Sequence, residues 1–148
     1  MKIVKRNLAK CNLCNINKYV FAIKKFKYWD LCVGNYQHTL GSLVIILKKH
    51  KEIFSDLNEK EIIEMLRIVK TGQKILTKQF NPDWFNVQQN GNWEHHLHIH
   101  ITPRYKKHRR FDGRIFNDKS FGQPVQYTNK SEKIEYLKKL TDILKENI

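Results

Sequence analysis

Three histidines alternate with aliphatic residues in one short stretch of the sequence, at His96, His98 and His100. On a β-strand, side chains point alternately to opposite faces, so the three imidazoles share one face while the residues between them face the core. A neutral imidazole can attack phosphorus, and a neighbouring ring can hold phosphate oxygens or protonate a leaving group. Because the outer two rings lie about 13 Å apart on a straight strand, all three cannot bind one metal ion. The spacing therefore predicts covalent chemistry at a phosphate; a chance run and a zinc-only use are the alternatives.

Two of the three cysteines form a Cys-x-x-Cys pair, Cys11 and Cys14, and Cys32 lies alone in an apolar stretch. Such a pair is compatible with half of a zinc site, with a redox pair, or with two small packed side chains. Zinc would need two further ligands to complete a tetrahedron. The pair alone leaves these three interpretations open, whereas Cys32 is interpreted as a buried apolar residue.

The elements that must position these residues begin with short strands and one long helix. Three apolar, β-branched or aromatic runs are typical of strands: Tyr19–Ile23, Trp29–Val33 and Ser42–Leu47. Asn58 followed by Glu61 resembles a capping box, in which the two side chains satisfy unpaired backbone N–H groups. The helix that starts there is expected to end at Asn81-Pro82. Its predicted apolar stripe comprises Ile62, Met65, Leu66, Val69, Ile75 and Leu76.

The histidine row belongs to a predicted hairpin near the end of the sheet. Phe85–Gln89 and His96–Thr102 read as strands that can pair around a turn at residues 90–92. The regular part is expected to end at Pro103, the basic segment 106–130 to be extended on the surface, and a helix to run over 131–146. The apolar stripe of that helix is predicted to be Ile134, Leu137, Leu140 and Leu144. These elements predict one α+β domain over 1–148, with its core at about 11–105, an antiparallel sheet of about five strands, a long central helix and a C-terminal helix.

The charge balance indicates an anionic ligand. The 28 Lys and Arg residues against 14 Asp and Glu give a net charge of +14, and such a field attracts nucleotides, nucleic acid or acidic lipid surfaces. A solvated basic surface without a ligand explains most of these charges equally well. Leu43–Leu47 and the other apolar runs are too short to span a bilayer, and Met1–Lys10 has no apolar signal core. A cytoplasmic location and no membrane partner are therefore expected.

The stretch 96–102, His-Leu-His-Ile-His-Ile-Thr, resembles the histidine-triad motif, in which three histidines alternate with apolar residues. Its surroundings are similar to the same family: Gly91-Asn92 precedes the row, Pro103-Arg104-Tyr105 follows it, and Leu43–Leu47 leads through Lys48-Lys49-His50 toward the capped helix. The chain thus resembles the histidine-triad (HIT) family over roughly residues 11–105. Ser42 departs from the pattern, since many members have a histidine there that supports the triad, although His38 lies nearby.

The resemblance implies a HIT-like fold and a nucleotidyl hydrolase or transferase that attacks the α-phosphate of a nucleotide. His98 would be the nucleophile that carries a transient AMP, and His100 would contact the phosphate and assist the leaving group. Three polar residues would bind the substrate: Gln89, Asn92 and Asn35. The chemistry itself would need no metal, because imidazole is the nucleophile. In family branches with a Cys-x-x-Cys pair, the resemblance implies a structural zinc site made of Cys11, Cys14, His50 and His96.

The leading interpretation is hydrolysis of an adenylated nucleotide or a dinucleoside polyphosphate, with a purine nucleotide or dinucleotide as the ligand and a homodimer as the implied assembly. One alternative is a deadenylase of 5′-adenylated nucleic acid, in which Lys106–Arg110 would hold further phosphates. Nucleic acid is the less favoured partner, because no zinc finger or helix-turn-helix is added to the domain. The other alternative is a nucleotide-binding regulatory module with little turnover.

Overall fold

The computed structural model describes residues 10–15 and 21–148. The elements of the described chain are β1 Phe21–Lys25, β2 Trp29–Val33, β3 Leu43–Leu47, a 3₁₀ turn Phe54–Asp56, α1 Glu59–Phe80, β4 Trp84–Gln88, β5 His98–Arg104, β6 Arg109–Phe111, β7 Arg114–Phe116 and α2 Ile134–Lys145. Tyr19 and Val20, with which the first predicted strand begins, lie outside the described residues, as do residues 1–9 of the segment searched for a signal.

Five strands form one antiparallel sheet in the order β1-β2-β3-β5-β4. The triad strand β5 is therefore flanked on both sides, by β3 and by β4. The register pairs His98 with Ile46, and pairs His100 with Val44 on one side and with Gln88 on the other. Directly paired residues of antiparallel strands point to the same face. The predicted α+β class, the five-stranded antiparallel sheet with two helices, and the β4–β5 hairpin are confirmed.

Helix α1 begins with the predicted capping box. The Asn58 side chain accepts the Glu61 backbone N–H at 3.0 Å, and the Glu61 carboxylate accepts the Asn58 N–H at 2.8 Å. The helix ends at Asn81, whose left-handed backbone (φ 45°) breaks the hydrogen-bond ladder. Both ends of α1 therefore lie at the residues that the sequence predicted.

The predicted apolar stripe of α1 is wrong in part. Ile75 and Leu76 are buried, but Ile62 and Leu66 are exposed, and the buried row also contains Ile68, Gly72 and Phe80. Gly72 explains the rotation, because a Cβ there would lie 2.8 Å from Ile101 Cδ1 on β5. The helix thus approaches the sheet most closely at Gly72, which has no side chain. The side of the helix that carries residues 62 and 66 faces solvent.

Both helices cover one face of the sheet and leave the histidines on the other. Leu97, Ile99 and Ile101 lie in the main core with the buried residues of α1 and α2, as the alternation predicted. His98 and His100 are half-buried on the opposite face. That face also carries a small apolar cluster of Cys32, Val44 and Ile46, so Cys32 is buried as predicted.

The chain after the triad is more regular than predicted. β5 continues through Pro103 to Arg104, and Pro103 pairs with Phe85 of β4. Proline is tolerated there because the β3 pairing has already ended at Ile101, so no described strand needs an N–H from Pro103 on the side that faced β3. Within 106–130, which was predicted to be extended, β6 and β7 form a hairpin around Asp112-Gly113. Both turn residues have positive φ, as two-residue hairpin turns require.

Helix α2 begins later than predicted, at Ile134, with Lys133 as its N-cap. Ile134 is 71% exposed, so its predicted place in the apolar stripe is wrong. The other predicted residues, Leu137, Leu140 and Leu144, are buried as expected, and Tyr136 and Thr141 complete the buried stripe. Neither α1 nor α2, the α-helices of the described chain, is long and apolar enough to cross a membrane.

Candidate active site and metal-binding cluster

Four possible metal ligands meet where the N-terminal turn, the chain after β3 and the chain before β5 come together. The ligand atoms of Cys11, Cys14, His50 and His96 all lie within 4.8 Å of one another. The Cys11 Sγ lies 3.3 Å from His96 Nδ1. The Cys14 Sγ lies 3.3 Å from His50 Nδ1 and 3.5 Å from His96 Nδ1. The structure thus brings together the same four residues that the resemblance implied.

Each imidazole of this cluster has an acceptor on its far side, and His96 is hydrogen-bonded to its acceptor. His96 Nε2 lies 2.6 Å from the Leu47 carbonyl oxygen. A carbonyl can only accept, so Nε2 carries the hydrogen and Nδ1 presents its lone pair to the cysteines. His50 Nε2 lies 3.6 Å from the Glu52 carboxylate, a distance too long for a hydrogen bond but close enough for an electrostatic contact. Such outer acceptors are typical of metal-ligating histidines.

The Cys-x-x-Cys turn is also held in place from outside. The Asn12 side chain donates to the Glu94 carboxylate at 2.9 Å, which ties the turn to the loop before β5. The Asn15 side chain donates to the Cys11 carbonyl at 2.9 Å, within the turn itself. The cysteines are therefore positioned by polar contacts that are independent of any ion.

The cluster fits a tetrahedral zinc ion. Zinc–sulfur bonds of about 2.3 Å and zinc–nitrogen bonds of about 2.0–2.1 Å place ligand atoms roughly 3.3–3.8 Å apart, close to the three sulfur–nitrogen distances. Burial raises the pKa of the Cys11 thiol to about 12. This shift disfavours a free Cys11 thiolate when no positive charge lies nearby. A zinc ion would supply the charge that lets a buried thiolate form.

His98 has its tautomer fixed by its own strand. Its Nδ1 lies 2.6 Å from the His96 carbonyl oxygen. Since that oxygen accepts, Nδ1 carries the hydrogen, and the neutral ring has its lone pair on Nε2. The ring of His100 meets it edge-on, with centroids 5.0 Å apart. The arrangement presents one imidazole nitrogen as a nucleophile beside a second imidazole.

His100 is held neutral by its surroundings. Burial, followed by the neighbouring rings of His98 and His38, lowers the pKa of His100 to about 4. At neutral pH this ring can therefore donate one N–H and accept at the other nitrogen. A neutral donor of this kind suits contact with a phosphate oxygen.

His38, to which no sequence pattern assigned a role, lies beside His100 with ring centroids 6.4 Å apart. The Thr128 N–H donates to His38 Nδ1 at 3.1 Å, and the Tyr127 ring meets His38 edge-on at 4.7 Å. Burial lowers the pKa of His38, so this ring is also neutral. The signal for His38 in the sequence was Ser42. Ser42 stands where many family members have a histidine that supports the triad, and His38 is a nearby histidine. Nothing in the sequence pointed to Tyr127 or Thr128.

Two of the expected substrate-binding residues lie in the loop between β4 and β5. Gln89 is half-buried and its amide lies over Gly91, where a Cβ would come within 2.6 Å of Gln89 Nε2. Asn92 is exposed. The residue directly opposite His100 is Gln88, whose Oε1 accepts the Tyr127 hydroxyl at 3.1 Å. Gln88 is therefore the polar side chain of β4 that neighbours the triad.

The third expected residue, Asn35, follows β2. Its backbone carbonyl accepts the Glu132 N–H at 2.9 Å, while its buried Oδ1 has no hydrogen-bond partner in the described chain. Asp30, which no sequence pattern indicated, also has a buried Oδ1 without a hydrogen-bond partner in the described chain, and this oxygen forms an ion pair with Lys48 Nζ at 3.5 Å. Asp30 pairs with Ile46, which in turn pairs with His98, so all three share one face of the sheet.

Comparison with known proteins identifies the class of this domain. Residues 36–107 match the sequence model of the HIT domain. A HIT-like protein of Methanocaldococcus jannaschii is 31% identical over 84 residues, which cover 53% of this chain and 61% of that protein. The chain therefore matches less than two thirds of that relative's length.

Solved structures share the fold across most of the chain. A zinc-bound histidine-triad family protein of Mycobacterium smegmatis superposes with a TM-score of 0.66 at 16% identity, covering 95% of this chain and 96% of that one. The diadenosine triphosphate hydrolase of Plasmodium falciparum superposes with a TM-score of 0.65 at 22% identity, covering 88% and 76%. At these identities the likeness shows the HIT-like fold. Residues 36–107 thus match the HIT domain, within a HIT-like fold that extends over most of the chain.

Proposed function

We propose that this chain is a nucleotidyl hydrolase or transferase that attacks the α-phosphate of an adenylated nucleotide or dinucleoside polyphosphate through a His98–AMP intermediate. The observation that carries the proposal is the hydrogen bond from His98 Nδ1 to the His96 carbonyl, which leaves Nε2 as the nucleophile. The HIT family consists generally of nucleotide hydrolases and transferases. A diadenosine triphosphate hydrolase among the proteins of the same fold supports the choice of substrate class.

The reaction needs two displacements at one phosphorus atom. The lone pair of His98 Nε2 forms a bond to the α-phosphorus, and the bond to the bridging oxygen breaks, with its electron pair leaving on the polyphosphate. The ring is then cationic, and the His96 carbonyl stabilises it through the Nδ1 hydrogen. A water molecule attacks the same phosphorus and gives up a proton to solvent. The phosphorus–nitrogen pair returns to Nε2, and AMP departs.

The neutral state of His100 favours an anhydride substrate. A polyphosphate leaves as a stable anion and needs no proton at neutral pH, whereas an amine leaving group needs a general acid. With a pKa lowered to about 4 by burial and by His98 and His38, His100 is a hydrogen-bond donor to phosphate rather than a proton donor. Its role is to contact the phosphate and orient the leaving group.

Substrate binding is assigned to polar side chains around the triad. Gln89, Asn92 and Asn35 remain the candidates for phosphate and sugar contacts. The position of Gln88 opposite His100 supports adding this residue.

We further propose a structural zinc ion held by Cys11, Cys14, His50 and His96. The support is the compact donor set and the zinc-bound protein of the same fold. The ion would clamp the N-terminal turn to the start of the catalytic strand. His98 and His100 lie outside the donor set, so their chemistry proceeds without it.

In the basic segment assigned to the deadenylase alternative, Lys106, Lys107 and Arg110 are exposed, whereas Arg109 is engaged within the domain. Arg109 donates to the carbonyls of Phe80 and Asn81 at the end of α1, at 3.0 and 2.8 Å, and lies over the Tyr105 ring. Arg109 therefore caps the C-terminus of α1 and is not available to bind nucleic acid.

A cytoplasmic location remains a prediction.

The expected homodimer is also part of the proposal. Sheet order leaves β4 as an edge strand with exposed Val87, and α1 exposes Ile62, Ile63 and Leu66. An apolar helix side together with an open strand edge suits a second copy of the chain.

The proposed activity is tested by measuring AMP release from diadenosine tetraphosphate, adenosine phosphoramidate and a 5′-adenylated oligonucleotide. We expect release to be fastest from the dinucleotide and to disappear in His98→Ala with the fold intact. Release that persists in His98→Ala would refute the proposal. Binding without release from any of the three would favour the regulatory module, and release mainly from the oligonucleotide the deadenylase.

A further inference from the structure

A cavity of about 540 Å³ lies on the triad face of the sheet, beyond Gln88. Its inner wall is Trp84, Asn86 and Gln88, alternate residues of β4 that share the face of His100, with Arg104 of β5 paired to Trp84. Its outer wall is the segment 121–125, here called the strap. The volume falls in the range of pockets that bind small organic ligands.

The strap is fixed to the sheet by Arg104, which is buried. Arg104 donates from Nε and Nη2 to the Asp118 carboxylate at 2.6 and 3.0 Å. The remaining N–H groups reach the Asn86 side chain at 2.6 Å, the Gln123 carbonyl at 3.0 Å and the Ser120 carbonyl at 2.7 Å. Since all five donors are used, Arg104 builds the wall and is not available to bind an anion. The cavity is therefore formed before any ligand enters.

The lining suits a flat aromatic ligand with hydrogen-bond acceptors. Trp84 is 68% exposed, and the half-buried ring of Phe121 lies on the other wall. Asn86 Oδ1 accepts from Arg104 and Gln88 Oε1 accepts from Tyr127. The amide nitrogens of Asn86 and Gln88 donate to no acceptor in the described chain. Two aromatic rings with two free amide donors match a nucleobase, which has a π-face and acceptor atoms at its edge.

We propose that this cavity binds the base of the leaving-group nucleoside, so that dinucleoside polyphosphates are the preferred substrates. The inference rests on the proposed function, because it takes the α-phosphate to lie at His98. The cavity starts at Gln88, which is paired with His100, the residue assigned to the leaving group. It extends to Trp84, four residues along the strand, or about 13 Å. That span lets a polyphosphate chain and a ribose lie between the scissile bond and the second base.

The test measures binding, so that it does not depend on turnover. Dissociation constants for AMP and for diadenosine tetraphosphate are measured by calorimetry in His98→Ala, in His98→Ala/Trp84→Ala and in His98→Ala/Phe54→Ala. Base stacking on an aromatic side chain contributes about 1–3 kcal/mol, so Trp84→Ala should weaken diadenosine tetraphosphate binding about 5- to 150-fold and leave AMP binding unchanged. Phe54, an exposed aromatic residue outside the cavity lining, is the matched control and should change neither constant.

Three outcomes would overturn the inference. An unchanged constant for diadenosine tetraphosphate in the Trp84 variant would show that the cavity binds no base. Equal weakening for both ligands would place the AMP half in the cavity instead. A Trp84→Phe variant that binds as weakly as Trp84→Ala, although circular dichroism shows both folded, would exclude stacking. The proposed function fails separately, when wild-type protein releases no AMP or when His98→Ala releases it as well.

Discussion

At the residue scale, two backbone carbonyls give neighbouring histidines opposite tautomers. The Leu47 carbonyl holds the hydrogen of His96 on Nε2, and the His96 carbonyl holds that of His98 on Nδ1. His96 therefore presents Nδ1 to the cysteines, whereas His98 presents Nε2 to a substrate. The alternating sequence predicted that His98 and His100 share a face, whereas His96 lies before β5, which begins at His98. The sequence could not predict that His96 and His98 have different tautomers, because each tautomer depends on a carbonyl oxygen whose position is defined only by the folded backbone.

The zinc site makes a prediction about individual cysteines. Protein purified without chelator should contain about one zinc ion per chain. Cys14→Ala should lose most of it and lower the Tm by at least about 5 °C, because metal binding contributes directly to folding stability. The measurements are elemental analysis of the native protein and thermal unfolding followed by circular dichroism.

Cys32→Ala is the matched control, since Cys32 is a buried cysteine outside the cluster. This variant should keep its zinc even where packing costs some stability. Wild-type protein without zinc, or Cys14→Ala with a full complement, would contradict the assignment.

At the element scale, the segment after β5 supplies the contacts that sequence reasoning missed. It folds back so that the strap forms a cavity wall and Tyr127 and Thr128 contact His38. The turn at Asp112-Gly113 could have been predicted from the sequence, since such pairs favour two-residue hairpins. The burial of Arg104 could not be predicted from the sequence, because its partner Asp118 lies fourteen positions away in a polar stretch with no periodicity.

Replacing Asp118 tests whether the ion pair holds this segment. In Asp118→Asn the buried Arg104 loses its counter-charge, so the free energy of unfolding at pH 7 should fall by about 3–5 kcal/mol. Burial alone would raise the pKa of Asp118, but the Arg104 and Tyr105 hydrogen bonds outweigh it and lower the pKa. A lowered carboxyl pKa stabilises the fold above the unfolded value of about 3.9, and that stabilisation is lost as pH falls through the folded value. The difference between variant and wild type should therefore shrink in acid.

Urea unfolding at pH 7 and at acid pH measures both effects. Glu132→Gln is the control, because its ion pair with Arg114 is more exposed and should contribute at most about 1 kcal/mol. An Asp118→Asn protein as stable as wild type at pH 7 would show that the strap is held by other contacts.

At the scale of the whole molecule, the fold followed from patterns that are local in sequence. The strand runs Trp29–Val33 and Leu43–Leu47 and the capping box at Asn58 could be predicted because burial and capping act on neighbouring residues. The rotation of α1 could not, since it depends on the contact of Gly72 with Ile101 across the core. The four-residue metal cluster came from the family resemblance, because its parts are far apart in the chain.

The assembly state is a prediction at this scale. If α1 and β4 form the interface of a homodimer, Leu66→Lys should give a monomer by light scattering coupled to size exclusion, because it places a charge on an apolar contact. Leu66 is 58% exposed, so the single chain should tolerate the change. Ile134→Lys, at a still more exposed apolar position on α2, should leave the dimer intact. A monomeric wild-type protein, or a dimer unaffected by Leu66→Lys, would contradict this interface.

The central claim is that His98 Nε2 forms a bond to the α-phosphorus. The most direct measurement is to mix the protein with diadenosine tetraphosphate, quench within one turnover, and locate AMP on the chain by mass spectrometry of peptides. We expect AMP on the peptide at His98, none in His98→Ala, and a loss of kcat/KM of at least about 10³-fold in that variant. AMP release that proceeds with no adenylate on His98, or at an unchanged rate in His98→Ala, would contradict the account.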